Sequence, residues 1–221
     1  MNLRAVGLNF RTAAVALREK LAFDAAAQER AVSELAARYG CEAVLISTCN
    51  RVEVYVARGA GERPFDAPLA AEFFAESRGL PVRDVDGHLY DHADADALRH
   101  LFRVAASLDS LIVGEGQIAG QVKAAFEQAH RLGATGPLLN AAFRHALQTA
   151  KRVRTETGIS KGHVSVSSVA VDYVRQVFDH FADKTVLVIG AGKMGRLTLK
   201  HLADLRVGRI LVTNRSPQKA V

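Results

Sequence analysis

Ser47-Thr48-Cys49-Asn50-Arg51 is the stretch of this sequence best equipped for chemistry. It lies between an apolar run, Ala43 to Ile46, and an alternating run, Val52 to Val56. That places Cys49 where one strand stops and the next begins, an edge at which side chains meet ligands. A thiol attacks as thiolate, with an unperturbed pKa of about 8.5 that neighbouring positive charge lowers. Arg51, two residues on, can act in either of two ways. It can favour the thiolate, or its planar fork of donors can hold a carboxylate. The competing reading is a small buried thiol, the usual fate of a free cysteine.

A second stretch is Gly190-Ala191-Gly192-Lys193-Met194-Gly195. It follows Thr185 to Ile189, a mostly β-branched run as in a buried parallel strand. A helical segment, Arg196 to Leu205, comes after it. GxGxxG in this strand-turn-helix setting fits a dinucleotide: the glycines permit a tight turn and close backbone approach, and the helix N-terminus faces a pyrophosphate. The next strand, Arg209 to Thr213, ends in Asn214-Arg215-Ser216. An acidic residue there would bond the ribose 2′-hydroxyl of NADH, whereas Arg and Ser suit a 2′-phosphate, so the expected cofactor is NADPH. The competing reading leaves Arg215 as a solvated loop residue.

These residues need a scaffold. The 221 residues suffice for one large domain or two small ones, and the composition, 49% hydrophobic and 24% charged, is that of a soluble globular protein. No apolar run approaches the roughly 18 residues that span a bilayer. Met1-Asn2-Leu3-Arg4 lacks the features of a signal peptide, and the expected location is cytoplasmic. The net charge of +6 is compatible with RNA and equally with a plain soluble enzyme. Cys41 and Cys49 bracket the strand Glu42 to Thr48. About eight residues at roughly 3.3 Å each hold them about 26 Å apart, beyond disulfide reach. No CxxC or HExxH occurs and the histidines are scattered, so no metal site is expected.

The predicted elements run as follows: a strand over Leu3 to Phe10, a helix over Ala13 to Phe23 capped by Thr12, and a helix over Ala25 to Tyr39 closed by Gly40. The two strands flanking Cys49 come next, then a helix from Leu69 to Arg78 and a strand from His88 to Tyr90. The order β-α-β-β-α-β is that of a ferredoxin-like split βαβ unit. Helices follow over Asp94 to Leu108, Gln117 to Leu132 and Leu138 to Thr155. The first carries an apolar stripe of Leu98, Leu101, Phe102 and Ala105, with His100 opposite. The last bears Arg144, Lys151, Arg152 and Arg154 on its outer sides, a solvated face or an RNA contact. The polar segment Glu156 to Gly162 marks a domain boundary. A nucleotide-binding sheet needs more than the two strands present after it, so the chain reads as a piece of a longer protein. The fold class is therefore α/β (α+β): a ferredoxin-like catalytic domain with added helices over 1–158, then an incomplete Rossmann-type domain over 159–221.

STCNRVEVY at 47–55, HLFRVAASLDSLIVGEGQIAGQVKAAF at 100–126, AKRVRTETGIS at 150–160, SVSSVAV at 165–171 and VLVIGAGKMG at 186–195 together resemble glutamyl-tRNA reductase. The resemblance runs from Gly7 to the last residue. It implies an NADPH-dependent reduction of glutamyl-tRNA(Glu) to glutamate-1-semialdehyde, the first step of C5-route tetrapyrrole (porphyrin, haem, chlorophyll) synthesis. It further implies a homodimer in the full-length protein, through a C-terminal helical domain that this chain lacks, and glutamate-1-semialdehyde aminomutase as a further partner. Cys49 would form a thioester with the glutamyl group. Thr48, Asn50 and Arg51 would line the substrate pocket, with Arg51 holding the glutamate side-chain carboxylate. Ser110, Glu115, Gly116, Gln117 and Gln121 match substrate-contacting positions, and His100 matches a histidine used for activity. Gly190, Ala191, Gly192, Lys193, Met194, Gly195, Asn214, Arg215 and Ser216 would contact NADPH.

There are departures. The early family motif usually reads N-H-x-T-A-P, and here Asn9-Phe10-Arg11-Thr12-Ala13-Ala14 stands in its place; Gly116 stands where many members carry Pro. Competing functions are another NADPH oxidoreductase with a cysteine nucleophile and a non-catalytic tRNA-binding module. The Arg215 reading has its own check. NADPH should bind more tightly than NADH in a cofactor titration, and equal affinities would end it.

Overall fold

The computed structural model describes residues 2–159 and 165–216, apart from the side chains of Val166 and Lys193. The chain divides into two compact units, Met1–Ile159 and Ser160–Val221.

The first unit is built on four strands: β1 (Asn2–Asn9), β2 (Glu42–Ser47), β3 (Arg51–Arg58) and β4 (Tyr90–Ala93). Their order is β2-β3-β1-β4, with every pair antiparallel. This is the ferredoxin-like arrangement expected from the element order. Helices α1 (Val15–Leu21), α2 (Ala25–Tyr39) and α3 (Ala67–Arg78) pack on one face of the sheet. Helices α4 (Asp94–Ala105), α5 (Gln117–Arg131) and α6 (Pro137–Glu156) cover the other. A sheet covered on both sides explains why β3 is buried from Arg51 through Ala57. Strand side chains alternate, so Val52, Val54 and Val56 meet the first helix layer, while Arg51, Glu53 and Tyr55 meet the second.

Local signals set most of the boundaries. Asp24 caps α2 by accepting from Ala27 N at 2.8 Å, and Gly40, at φ 56, ends it. Asp66 caps α3 in the same way, so that helix starts two residues before the expected Leu69. Thr12 is not a helix cap. Its Oγ1 accepts from Asn9 N and α1 begins only after Ala14, because the hydroxyl is spent closing the turn that leaves β1. The fourth strand is Tyr90–Ala93 rather than His88 to Tyr90, placed by its register against Gly7 through Arg4. Helix α4 also turns differently from expectation. Its buried stripe is Ala97, His100, Leu101 and Val104 at i, i+3, i+4 and i+7, so His100 lies on that stripe rather than opposite it.

Gly7 lies at the centre of the sheet, between Glu53 on β3 and Tyr90 on β4. A Cβ at this position would lie 2.4 Å from Val52 O and 2.5 Å from Glu53 Cα. The missing side chain lets groups from the two flanking strands meet across β1.

The second unit pairs β5 (Thr185–Ile189) with β6 (Arg209–Thr213) in parallel, joined by α8 (Lys193–Asp204), and α7 (Val166–Val177) packs on α8. Ser165 and Ser168 form a capping box at the start of α7. The expected boundary segment Glu156 to Gly162 belongs to α6 at its first residue, and 160–164 lie outside the described residues. Helix α8 starts at Lys193, within the glycine motif, rather than at Arg196.

Gly7→Ala should destabilise the first unit by about 1–3 kcal/mol or more, as overpacking against fixed backbone does. A denaturant midpoint equal to that of the parent protein would show that the strands can separate to admit a methyl group.

Candidate functional site

The β2–β3 hairpin presents the reactive stretch. Thr48 N donates to Arg51 O at 2.8 Å, and Thr48 Oγ1 accepts from Asn50 N (3.2 Å) and Arg51 N (3.1 Å). Thr48 therefore holds the turn, and Cys49 and Asn50 form its tip. Arg18, buried on α1, donates from Nε to Cys49 O at 3.2 Å, and Phe10 N donates to Asn50 O at 2.9 Å. The tip is fixed from two sides while Cys49 stays exposed and free of a disulfide. Cys41 is also free but half-buried, and burial pushes its thiol up to about 11, so it is the less reactive of the two.

Beneath the turn lies a buried ionic cluster. Arg51 is 1% exposed and Glu53 is fully buried. Arg51 Nη1 donates to Glu53 Oε2 at 3.2 Å. Glu53 Oε1 accepts from Tyr55 Oη at 2.9 Å, and Oε2 accepts from Tyr90 Oη and contacts His100 Nε2 at 2.8 Å. Burial alone would raise the Glu53 pKa, but the Arg51 charge, His100 and the donated hydrogen bonds hold it well below the usual carboxylate range. An ionised carboxylate has no proton to give, so His100 Nε2 carries the hydrogen of that contact. His100 is further fixed by rings: Tyr55 stacks on it at 6.4 Å between centroids, and His92 lies at 4.7 Å. A histidine whose tautomer is set by a buried carboxylate can hold or pass a proton at its other nitrogen.

His100 lines a cleft of about 470 Å³ with Asn9, Arg11, Tyr90 and Asp109 among its walls. Asp109 is 5% exposed and bonds Arg11 Nη1 and Arg51 Nη2.

The site residues expected from the sequence divide into groups. Thr48, Cys49, Asn50 and Arg51 form the hairpin end, and Asp109, next to Ser110 in the chain, reaches Arg51. Ser110 is 5% exposed, and its Oγ has no partner among the described residues. Arg51 does not border open space as expected. Its terminal nitrogens go to Glu53 and Asp109, so in this arrangement it is not a free two-bond clamp. Gln121 is exposed on a separate hollow of about 290 Å³ with Ser47, Gln28 and Gln128. Gln117 and Glu115 are half-buried and line neither hollow. Gly116 lies under Arg154, whose Nη1 would be 3.0 Å from a Cβ there.

Glu53, Tyr90 and Asp109 were not expected. Period-two alternation already put Glu53 on the face of Arg51 and Tyr55, and that signal could have found it. Tyr90 and Asp109 arrive from other parts of the chain, with no local signal.

In the second unit the three glycines do different things. Gly190 has φ 101, which a side chain rarely tolerates. A Cβ on Gly192 would meet nothing within 4 Å, leaving room for a ligand backbone. A Cβ on Gly195 would lie 2.0 Å from Gly190 O, so this glycine serves close helix–strand packing. A hollow of about 530 Å³ is lined by Gly190, Gly192, Asn214, Arg215 and Ser216. Arg215 is exposed and can meet a phosphate. Asn214 is a brace: Oδ1 accepts from Ala191 N at 3.2 Å and Nδ2 donates to Ser216 O at 2.9 Å. Ala191 is buried and Met194 is 40% exposed, while the Lys193 side chain lies outside the described residues. The residues present fit a dinucleotide phosphate.

Residues 6–157 match the family model described as glutamyl-tRNAGlu reductase, N-terminal domain, and residues 172–221 match that of shikimate / quinate 5-dehydrogenase. Curated relatives named glutamyl-tRNA reductase include one from Desulforudis audaxviator, 45% identical over 230 residues, which covers 100% of this chain and 49% of the relative. Another, from Moorella thermoacetica, is 47% identical over 219 residues, covering 98% of this chain and 49% of the relative. The solved glutamyl-tRNA reductase from Methanopyrus kandleri is similar at a TM-score of 0.65 and 38% identity, over 99% of this chain and 50% of that one. The chain spans about half the length of the curated relatives it matches.

The depressed Glu53 pKa has a sign. Its stabilisation is complete above the unfolded carboxylate value of about 4.3 and is lost as pH falls below it. Glu53→Gln should cost about 3–5 kcal/mol at neutral pH, as breaking a buried pair does. The gap from the parent should narrow in acid; a deficit that stays constant between neutral pH and about pH 3 contradicts an ionised Glu53.

Proposed function

The chain belongs to the glutamyl-tRNA reductase family, and from that premise we propose that it carries the acyl-transfer centre and part of the cofactor site of an NADPH-dependent glutamyl-tRNA(Glu) reductase. The observation that supports this most directly is an exposed Cys49 on a rigid turn, two residues from the buried Arg51–Glu53–His100 cluster.

Cys49 Sγ attacks the carbonyl carbon of the glutamyl ester at the 3′ end of the tRNA. The carbon–oxygen ester bond breaks, the ribose oxygen leaves with a proton, and the glutamyl group remains on sulfur as a thioester. Two Cα–Cα steps separate Cys49 from Arg51, at most about 7 Å, so a glutamyl group on Cys49 has its side-chain carboxylate within range of the Arg51 cluster. His100, held by Glu53 on the wall of the cleft, is the residue for proton transfer at the ester oxygen. A thioester accepts hydride far more readily than a carboxylic ester, which is the reason for a sulfur nucleophile.

The second unit would hold NADPH, which when bound would supply hydride. Gly190 and Gly192 would receive its pyrophosphate at the N-terminus of α8, with Arg215 and Ser216 on the 2′-phosphate. The product is glutamate-1-semialdehyde, at the start of C5-route tetrapyrrole synthesis. The same reading includes a homodimer of the longer protein. It also includes handover of the aldehyde to glutamate-1-semialdehyde aminomutase, since a reactive α-amino aldehyde gains from direct transfer. A cytoplasmic location suits these partners, and among the described residues no helix is long and apolar enough to cross a membrane.

Incubation with glutamyl-tRNA carrying labelled glutamate, without NADPH, should leave label covalently on the protein until hydroxylamine strips it. Cys49→Ser should lose the labelling. Label that persists in this variant would move the nucleophile elsewhere.

A further inference from the structure

Arg51 carries the guanidinium that the functional reading gives to the substrate's side-chain carboxylate, yet it is almost completely enclosed. What encloses it is a carboxylate of the protein's own. Asp109 Oδ2 lies 3.2 Å from Arg51 Nη2, and the same nitrogen donates to the Asp109 main-chain oxygen. Asn9 Nδ2 lies 3.5 Å from Oδ2. The other oxygen, Oδ1, is held from the solvent side by Arg11, whose side chain is 54% exposed. Asp109 lines the 470 Å³ cleft and Arg51 does not. Asp109 is the cleft-lining residue that bonds the Arg51 guanidinium directly.

The segment bearing Asp109 is irregular and is buried at Ser107, Asp109, Ser110 and Gly114. Residues 106–116 contain neither helix nor strand. Ser107 at φ 60 and Gly114 at φ 86 stand at its two ends, and Gly114 N donates to Ser107 O at 3.1 Å to close the loop. Leu108, Leu111 and Val113 face outward and are exposed, so apolar burial of these side chains does not hold the segment down. On the inner side, the hydroxyls of Ser107 and Ser110 are buried and have no partner among the described residues. Unpaired buried hydroxyls are costly, and the closed arrangement leaves that cost standing.

We propose that Asp109 is an internal stand-in for the substrate's carboxylate, and that the segment 106–116 is a latch released when a glutamyl carboxylate replaces Asp109 on Arg51. The inference rests on the glutamyl-tRNA reading and extends it to selectivity. Exchange of one carboxylate for another keeps the buried guanidinium paired throughout, which removing Asp109 without replacement would not. An acyl group ending in a neutral amide cannot compensate Arg51 for the lost charge. The latch therefore selects for the anionic side chain. Asp109 acts here through Arg51 and is a positioning residue.

The test is the rate of Cys49 acylation in a single turnover without NADPH, measured against glutamyl-tRNA concentration. Arg11→Gln removes the outer tether and leaves the Arg51–Asp109 contact in place; Asp109→Asn removes the competing charge itself. Each should lower the half-saturating concentration by roughly two- to fivefold, the scale of a partly exposed ion pair, with full labelling retained. A permanent counter-ion role predicts the opposite for Asp109→Asn, namely weaker saturation. Arg11→Gln keeps the test valid if Asp109→Asn fails to fold. An unchanged or raised half-saturating concentration in Arg11→Gln overturns the latch and leaves the acylation chemistry intact. Absence of acylation in the parent protein overturns the glutamyl-tRNA reading, and the latch falls with it.

Discussion

The first unit depends on one buried carboxylate. Glu53 sits at the centre of a sheet covered on both faces, where an isolated charge would be expelled or neutralised. It stays ionised because Arg51, Tyr55, Tyr90 and His100 all converge on its two oxygens. These partners come from two strands and a helix, so one interaction ties β3, β4 and α4 together. Gly7 contributes by having no side chain in the space between Glu53 and Tyr90.

That arrangement explains how a rigid interior can hold an exposed thiol in place. Cys49 lies on a two-residue turn, an element with little stability of its own. Thr48, Arg18 and Phe10 bond the turn directly, and Arg51 anchors its base in the ionic cluster. The Cys49 sulfur is therefore open to solvent while its backbone is fixed. Precision of this kind matters for attack on an ester, where a misplacement of about 1 Å is costly in rate. The second unit uses the same economy differently: its three glycines supply a turn, an open approach and a close packing contact.

The resemblance to glutamyl-tRNA reductase and the residue chemistry agree on Cys49, but they emphasise different neighbours. Motif matching put Arg51 against the substrate. The structure puts it first against Glu53 and Asp109. These descriptions are compatible if the guanidinium exchanges one carboxylate for another, and among the described residues Asp109 is the Arg51 partner that also lines the cleft.

Local pattern was enough for the element order, because hydrophobic periodicity and the glycine that closes α2 at 40 are visible along the chain. It was also enough to place Cys49 between two strands and Gly190 at the start of a turn, since a break in pattern is visible without knowing what packs nearby. It could not determine which way His100 faces, because the stripes Leu98-Leu101-Phe102-Ala105 and Ala97-His100-Leu101-Val104 differ by only one position. Choosing between them required the buried Glu53 that waits for an imidazole. Nor could it join Asp109 or Tyr90 to Arg51 and Glu53, which lie 58 and 37 residues away in the chain. Ion pairing depends on distance in space, and only the folded sheet with α4 laid across it brings those charges together.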